Sequence, residues 1–180
     1  MQKLDVFILV IAILSSVLFI AASEGLEVSV RAPFFKVISG GGKGLTLDST
    51  KGKITIIFYE SKDVLEKNRK LRNQLNRSYR ELTDTQKACI VRLPIINCCN
   101  AFWPLTEIWK KRLRESSRKS GVIIYGDWDG EMLSAYGMKD NESNIVIIDK
   151  KGIIRYFESG RVKDDEINRI RNLIENLIRE

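Results

Sequence analysis

Short apolar runs alternate with helical patterns along most of this 180-residue chain, and their order restricts the fold. An apolar run at 54–59 is typical of a buried strand, and the leucines of the next segment, 63–82, recur on roughly one side of a helix. The same alternation continues to the C-terminus. We predict further strands at 88–96, 121–125, 144–149 and 153–157, and further helices at 104–119, at 131–136 and from 164 onward.

The order β-α-β-α-β-α-β-β-α predicts an α/β domain. Helical crossovers between the first three strands require those strands to pair in parallel, with helices covering both faces of the sheet. The turn Lys150-Lys151-Gly152 makes the last two strands an antiparallel hairpin. We therefore predict a central mixed β-sheet flanked by helices, formed by residues 24–180 as a single domain with a substantial core.

The first 23 residues have the features of an export signal. Lys3 precedes an apolar stretch at 6–22, and Ala21-Ala22-Ser23 supplies small residues suited to signal peptidase. The stretch lies between the length of a signal core and the roughly 20 residues needed to span a bilayer. A signal cleaved before Glu24 is favoured, and an uncleaved membrane anchor stays open. In both cases we expect a periplasmic or otherwise exported domain.

The charge balance is basic, with 30 Lys and Arg against 23 Asp and Glu. The basic residues concentrate at 62–80 and 110–119, on two predicted helices. For an exported chain this favours contact with an anionic membrane surface or an acidic partner, and nucleic acid is not expected. A solvated basic surface is the simpler interpretation, because acidic residues are interspersed and aromatic residues are not.

The chain contains no histidine, which excludes histidine-dependent nucleophile pairs and zinc sites of the mixed Cys/His kind. The three cysteines are too few for a zinc site of cysteines alone. We predict no metal and no cofactor. Asp127 and Asp129 lack the remaining ligands of a calcium loop and are interpreted as a turn and helix cap. The glycine-rich segment 40–44 is interpreted as a flexible hairpin tip.

Several segments resemble redoxins and peroxiredoxin-like proteins of the thioredoxin-like superfamily. They are Ala32-Pro33-Phe34, the segment 44–53, the strand-turn-helix at 125–138 and the hairpin start at 147–153. The resemblance covers about residue 32 to the C-terminus and implies a thioredoxin-like fold. Together with the export signal, the run 141–149 most resembles the exported bacterial YtfJ family, thioredoxin-like proteins without an established biochemical function.

Two departures from the thioredoxin pattern bear on activity. Asp63-Val64-Leu65-Glu66 stands where thioredoxins carry Cys-x-x-Cys, and a carboxylate cannot perform thiol–disulfide exchange. Asn141-Glu142-Ser143-Asn144 stands where they carry a cis-proline. Redox catalysis at the customary site is therefore not expected. Asp63 and Glu66 resemble a capping box, which predicts that they hold the start of the helix.

Cys98 and Cys99 are the remaining redox candidates. They follow the strand 88–96, so the parallel pairing predicts that they lie beside Asp63 at the edge where open α/β sheets bind ligands. A helix start at Pro104 would favour a thiolate. A disulfide between neighbours is strained, however, and burial as small apolar residues is the simpler interpretation. Cys89, early in a strand, is expected to pack in the core.

We therefore predict no catalytic residue and a binding or accessory role for an unknown envelope protein or small ligand. The predicted crevice is lined by Asp63, Glu66, Ser143 and Asn144, next to Cys98 and Cys99. The alternative is a divergent thiol–disulfide oxidoreductase or peroxiredoxin-like enzyme that works through the two adjacent cysteines.

Overall fold

The computed structural model describes residues 28–180. The predicted signal or anchor at 1–23, and the domain boundary at residue 24, lie outside the described residues. Within 28–180, none of the helices combines the length and the apolar character needed to cross a membrane.

The described residues form one sheet with helices on its two faces. The strands are β1 Lys36–Ser39, β2 Gly44–Thr46, β3 Ile54–Glu60, β4 Ile90–Asn97, β5 Tyr125–Asp127, β6 Ser143–Ile148 and β7 Ile154–Ser159. The helices are α1 Arg69–Glu81, α2 Asp84–Ala88, α3 Leu105–Ser120, α4 Glu131–Ala135 and α5 Asp164–Arg179.

The strands lie in the order β2-β1-β5-β4-β3-β6-β7. β4 pairs in parallel with β3 on one side and with β5 on the other, as the helical crossovers predict. β6 runs antiparallel to both β3 and β7. The predicted mixed sheet and order of elements are confirmed. The hairpin β1–β2 extends the sheet beyond β5, with Gly42 in the left-handed conformation at its tip (φ 82°).

Two apolar clusters stabilise the sheet from opposite faces. Tyr59, Ile95 and Tyr136 belong to one cluster, which α4 covers. Leu71 of α1 and Ile170 of α5 belong to the other cluster, which lies between these two helices and the sheet. This assignment follows from the strand period of two, because neighbouring residues of β3 point to opposite faces. Each fully buried large apolar side chain contributes about 1.5–3 kcal/mol relative to an exposed one.

The first long helix begins later than the sequence predicts. Residues Lys62–Val64 form a single 3-10 turn, and α1 starts at Arg69. The predicted capping box of Asp63 and Glu66 is therefore wrong. Glu66 instead forms an exposed ion pair, in which its Oε2 lies 3.3 Å from Arg69 Nη1. The reason is Asn68, whose buried side chain donates to Ser143 Oγ (2.9 Å) and to the Gly160 carbonyl (2.7 Å). These contacts fix the chain immediately before the helix.

A capping box does form at α2, a short helix that the sequence pattern does not separate from its neighbours. The Thr83 N–H donates to Gln86 Oε1 at 2.9 Å, and the Gln86 N–H donates to Thr83 Oγ1 at 3.3 Å.

This difference between the two segments predicts unequal losses of stability for two alanine substitutions. Thr83→Ala should lower the free energy of unfolding by about 1 kcal/mol, because it removes an N-cap acceptor. Asp63→Ala should change it by less than about 0.5 kcal/mol, as surface substitutions away from special features do. Urea unfolding of both variants measures the two changes in the free energy of unfolding. A larger loss for Asp63→Ala than for Thr83→Ala would contradict the described start of α1.

Two further boundaries differ from prediction. Cys89 lies at the C-terminal cap of α2 and not in a strand; its half-buried thiol donates to the Thr85 carbonyl at 3.4 Å, so the expected core position is wrong. β5 begins at Tyr125, where the predicted strand ends. The preceding segment is held by a turn in which Gly121 is left-handed (φ 69°) and the Ile124 N–H donates to Ser117 Oγ at 2.9 Å.

Candidate functional site

The carboxyl ends of β3, β4 and β5 meet at one edge of the sheet, where open α/β sheets bind ligands. Each strand ends in a buried polar residue: Glu60 in β3, Asn97 in β4 and Asp127 in β5. Asn97 pairs directly with Asp127 in the parallel register. Because buried polar groups need hydrogen-bond partners, these three residues organise the edge.

Asp127 is fully buried and accepts three hydrogen bonds. They come from the Tyr59 hydroxyl (2.9 Å), the Leu133 N–H (3.1 Å) and the Gly130 N–H (3.2 Å). Asp129 accepts from the Glu131 N–H at 3.1 Å. The predicted turn and helix cap at α4 is thereby confirmed. Burial raises the pKa of the Asp127 carboxyl, and burial together with Asp127 raises the pKa of the Tyr59 hydroxyl.

The two adjacent cysteines lie in different environments. Cys98 is 1% exposed, and its N–H donates to the Asp127 carbonyl at 2.9 Å. Burial, with smaller contributions from Asp127 and Cys99, raises the pKa of the Cys98 thiol to about 12. Cys99 is exposed, and its N–H donates to Asn97 Oδ1 at 3.1 Å. Both are free thiols, so the pair consists of one packed cysteine and one accessible one.

A buried ion pair lies at the end of β3, and neither of its residues belongs to the site predicted from the sequence. Arg72 Nη1 of α1 lies 2.6 Å from both carboxylate oxygens of Glu60. Ser143 Oγ donates to Glu60 Oε1 at 2.6 Å, and Asn68 donates to Ser143. Burial raises the pKa of the Glu60 carboxyl, and Ser143 and Arg72 partly oppose that rise. The sequence did contain a signal for this ion pair, namely a glutamate at the end of a largely apolar strand.

Asn144 is likewise engaged within the fold. Its Oδ1 accepts from the Lys139 N–H (2.9 Å) and from Ser159 Oγ (2.6 Å), and its amide donates to the Lys139 carbonyl at 2.9 Å. Ser143 and Asn144 are both 0% exposed. In this structure the two side chains hold the loop before β6 and do not open onto the surface.

The predicted crevice is therefore divided in the structure. Asp63 and Glu66 are exposed on the segment after β3, while Ser143 and Asn144 are buried beneath the loop before β6. The cysteines contact the β5–α4 turn instead: a Cβ added to Gly130 would lie 3.3 Å from Cys99 Cβ. Among residues 28–180, no group of three or more His, Cys, Asp or Glu side chains is placed to hold a metal ion.

The sequence matches a family described as "Bacterial protein of unknown function (YtfJ_HI0045)" over residues 48–177, well over half of the chain. The chain belongs to the YtfJ family. Comparison with curated protein sequences found no match.

Solved structures similar to this YtfJ-family chain are thioredoxin-like proteins. A putative protein disulfide isomerase from Bacteroides thetaiotaomicron has a TM-score of 0.63 and 16% identity, covering 86% of this chain and 92% of that one. A putative thiol:disulfide interchange protein DsbE from Chlorobium tepidum has a TM-score of 0.62 and 13% identity, and the match covers 85% of this chain and 99% of that one. The exposed lipoprotein thioredoxin Etrx1 from Streptococcus pneumoniae has a TM-score of 0.56 and 16% identity, and the match covers 80% of this chain and 99% of that one. At these identities the likeness shows the thioredoxin-like fold alone.

Proposed function

We propose that this YtfJ-family protein is exported to the bacterial cell envelope and serves there as a non-catalytic binding or accessory protein. The observation that carries the proposal is the state of the thiols. Thiol–disulfide exchange needs a thiolate. Cys98 is buried with a pKa of about 12, so it is protonated throughout the physiological range. Asp63 occupies the position of the usual nucleophile.

Two further observations support the proposal. The relatives from Chlorobium and Streptococcus are described as a thiol:disulfide interchange protein and an exposed lipoprotein, which fits a scaffold used outside the cytoplasm. The Asp63 and Glu66 side chains are exposed at the surface, where they are accessible to a partner or small ligand, while the buried Ser143 and Asn144 fix the adjacent loop from within.

The decisive experiment measures thiol reactivity and turnover on protein recovered from the envelope fraction. We expect no insulin reduction and no peroxide consumption. Alkylation should modify Cys99 readily and leave Cys98 unmodified until the pH approaches about 12 or the protein unfolds. With each site mapped by peptide mass spectrometry, so that the half-buried Cys89 is scored separately, Cys99→Ser should leave no alkylation at the 98–99 pair of the native protein, and Cys98→Ser should leave alkylation of Cys99 unchanged.

The competing hypothesis is a thiol–disulfide oxidoreductase or peroxiredoxin-like enzyme that uses both cysteines. Catalytic turnover that disappears in either serine variant would establish that enzyme and refute the binding role. Recovery of the protein in the cytosol would refute export.

A further inference from the structure

Helix α3 leaves part of the sheet uncovered. Leu113 is the one buried residue of this 16-residue helix, which packs near the edge of the sheet, where Arg114 Nη1 donates to the Gly40 carbonyl at 2.6 Å. β4 lies in the interior of the sheet, yet Arg92 and Ile96 on its α1 side are only half-buried. Interior strands of sheets flanked by helices are normally covered on both faces.

The uncovered surface is the floor of a groove between α1 and α3. Its volume of about 1550 Å³ exceeds the range of about 300–1,000 Å³ usual for small-molecule sites. The groove runs alongside β3, whose seven residues span about 20 Å at about 3.3 Å per step. Its apolar surface comes from both strands and both helices: Ile56, Phe58, Pro94, Ile96, Tyr79 and Trp109. A surface of this length fits a polypeptide segment better than a compact small molecule.

A half-buried arginine stands in this floor with no carboxylate beside it. Arg92 of β4 lies opposite Ile56 of β3. Its guanidinium carbon lies 4.0 Å from the centre of the Tyr79 ring, and its Nη1 donates to Asn76 Oδ1 at 3.1 Å. Both partners are uncharged, and no carboxylate of residues 28–180 lies within 4.0 Å of the guanidinium nitrogens. A cation withdrawn from water is stabilised by an anionic partner, so this position favours an anionic ligand.

Further cations without a carboxylate partner in residues 28–180 line the whole length of the groove. Lys62 follows β3 at the carboxyl edge of the sheet. Arg112 lies halfway along α3, and Lys119 lies seven residues, or about 10 Å, farther along that helix. Arg80 and Arg179, near the ends of α1 and α5, lie toward the opposite edge, where β3 and β4 begin.

Most of the other charges that line the groove are paired within the fold. The pairs are Arg72–Glu60, Lys87–Asp84 and Arg171–Glu175. In the part of the chain that the structure describes, Glu81 and Glu115 are the two lining carboxylates without a cation within 4.0 Å, against six such cations. The unpaired charge of the groove is therefore mainly positive, and it is spread over the floor, both walls and both ends.

We infer that this groove binds an acidic amphipathic segment of a partner protein, with its apolar side chains on the floor and its carboxylates against Arg92 and the cations of both walls. This inference rests on the proposed binding role in the envelope and names the chemistry of the partner. Arginine pairs with carboxylates in a fixed and frequently bidentate geometry, which suits the stacked guanidinium of Arg92.

The distribution of charge favours a polypeptide over other anions. A segment with recurring Asp or Glu residues matches cations at several levels of the groove at once. A phospholipid carries its charge in one headgroup and would leave most of these cations unmatched. A polyanion without apolar groups would leave the floor of the groove exposed to water.

Selection from a displayed library of random peptides tests the inference. Peptides of about 14 residues are long enough, because a helix of that length spans about 21 Å. We expect the protein to enrich peptides in which several Asp or Glu residues alternate with apolar residues and Lys and Arg are rare. The most enriched peptide is synthesised, and its Kd is measured by fluorescence anisotropy. The double variant Arg112→Glu/Lys119→Glu should raise that Kd by about tenfold or more, because it reverses two charges of one wall.

Matched controls separate groove binding from attraction to the net charge. Lys111→Glu/Arg118→Glu makes the same change of net charge on exposed residues of α3 that do not line the groove, and should bind the peptide within about twofold of the unchanged protein. Ile96→Glu should lose the peptide, while Ile123→Glu, at a 40% exposed position outside the groove, should not. Thermal unfolding confirms that each variant folds.

Three results would overturn the inference: no enrichment of acidic apolar peptides, equal loss of affinity in the two double variants of α3, or equal loss in Ile96→Glu and Ile123→Glu. Gel filtration with phosphatidylglycerol vesicles is run in parallel. Retained lipid that Arg112→Glu/Lys119→Glu abolishes, without any enriched peptide, would assign the groove to a lipid instead. Thiol turnover, measured on the same samples, reports on the proposed function separately. Turnover with intact peptide binding would refute that function and leave the groove site standing.

Discussion

Arg72→Ala is expected to lower the free energy of unfolding by about 3 kcal/mol, the lower end of the range for breaking a buried ion pair. The substitution leaves the Glu60 carboxylate, 5% exposed, with Ser143 Oγ as its one remaining hydrogen-bond donor among the described residues. The lower end applies because the Arg72 side chain is 24% exposed, so water can partly replace the guanidinium. Urea unfolding at neutral pH measures the loss.

The loss should depend on pH in a defined direction. Burial raises the pKa of Glu60 above its ordinary 4.5 even with Arg72 present, and removing the cation raises it further. A carboxyl whose pKa is higher in the folded state contributes stability that is complete below its unfolded pKa and is lost as pH rises through its folded pKa. The deficit of Arg72→Ala should therefore be smallest below pH 4.5 and grow above it.

Two controls make this prediction specific. Arg69→Ala, on the same helix, breaks an exposed pair with Glu66 and should cost less than about 0.5 kcal/mol. Glu60→Gln combined with Arg72→Met removes both charges and should recover most of the stability that Arg72→Ala loses. A loss below about 1 kcal/mol for Arg72→Ala, with no dependence on pH, would show that the pair is not buried in solution.

The order of strands and helices was predictable because each element carries its own periodic pattern. In α5, Ile167, Ile170 and Ile174 recur at helical spacing, and all three are buried as that spacing predicts. Residues 54–59 of β3 are apolar apart from Thr55, as expected for a strand paired on both sides and covered by helices. These signals are local, so one sequence suffices to detect them.

The start of α1 was not predictable because local and distant signals conflict there. Asp63 and Glu66 have the spacing of a capping box, but the helix begins after Asn68. The Asn68 side chain bonds to Ser143 and Gly160, which lie 75 and 92 residues away along the chain. No short-range pattern in the sequence announces such partners.

The candidate site was predictable in position and not in exposure. Parallel pairing of β4 with β5 explains why Cys98 and Cys99 lie at the carboxyl edge of the sheet. Which thiol is buried depends on the contact between the Cys98 N–H and the Asp127 carbonyl, made across that edge.

The position of α3 against the sheet depends on a tertiary contact of the same kind. α3 packs so closely against Gly40 that a Cβ at this position would lie 2.3 Å from the Lys110 carbonyl oxygen. Glycine at this position allows the backbone approach. Periodicity defines the apolar face of a helix and leaves open how that helix lies across a sheet, so the position of α3 had no sequence signal.

Asp127→Ala is expected to lower the free energy of unfolding by about 3 kcal/mol, because one substitution leaves three donors without their acceptor. The Tyr59 hydroxyl is the costliest of these donors to leave unpaired, since that side chain is 1% exposed and lies in the core. The two N–H groups belong to the first turn of α4 and to the residue before it, so the helix should also fray. Guanidinium unfolding measures the loss.

Three comparison variants apportion this loss among the partners of Asp127. Asp129→Ala removes an exposed acceptor with one partner, Glu131 N–H, and should cost about 0.5–1 kcal/mol. Tyr59→Phe removes the hydroxyl together with its need for a partner and should cost about 1 kcal/mol. Because the two residues share one hydrogen bond, Tyr59→Phe/Asp127→Ala should lose less than the sum of the single variants. Strict additivity would contradict the Tyr59–Asp127 contact, and equal losses for Asp127→Ala and Asp129→Ala would contradict the central position of Asp127 at the carboxyl edge of the sheet.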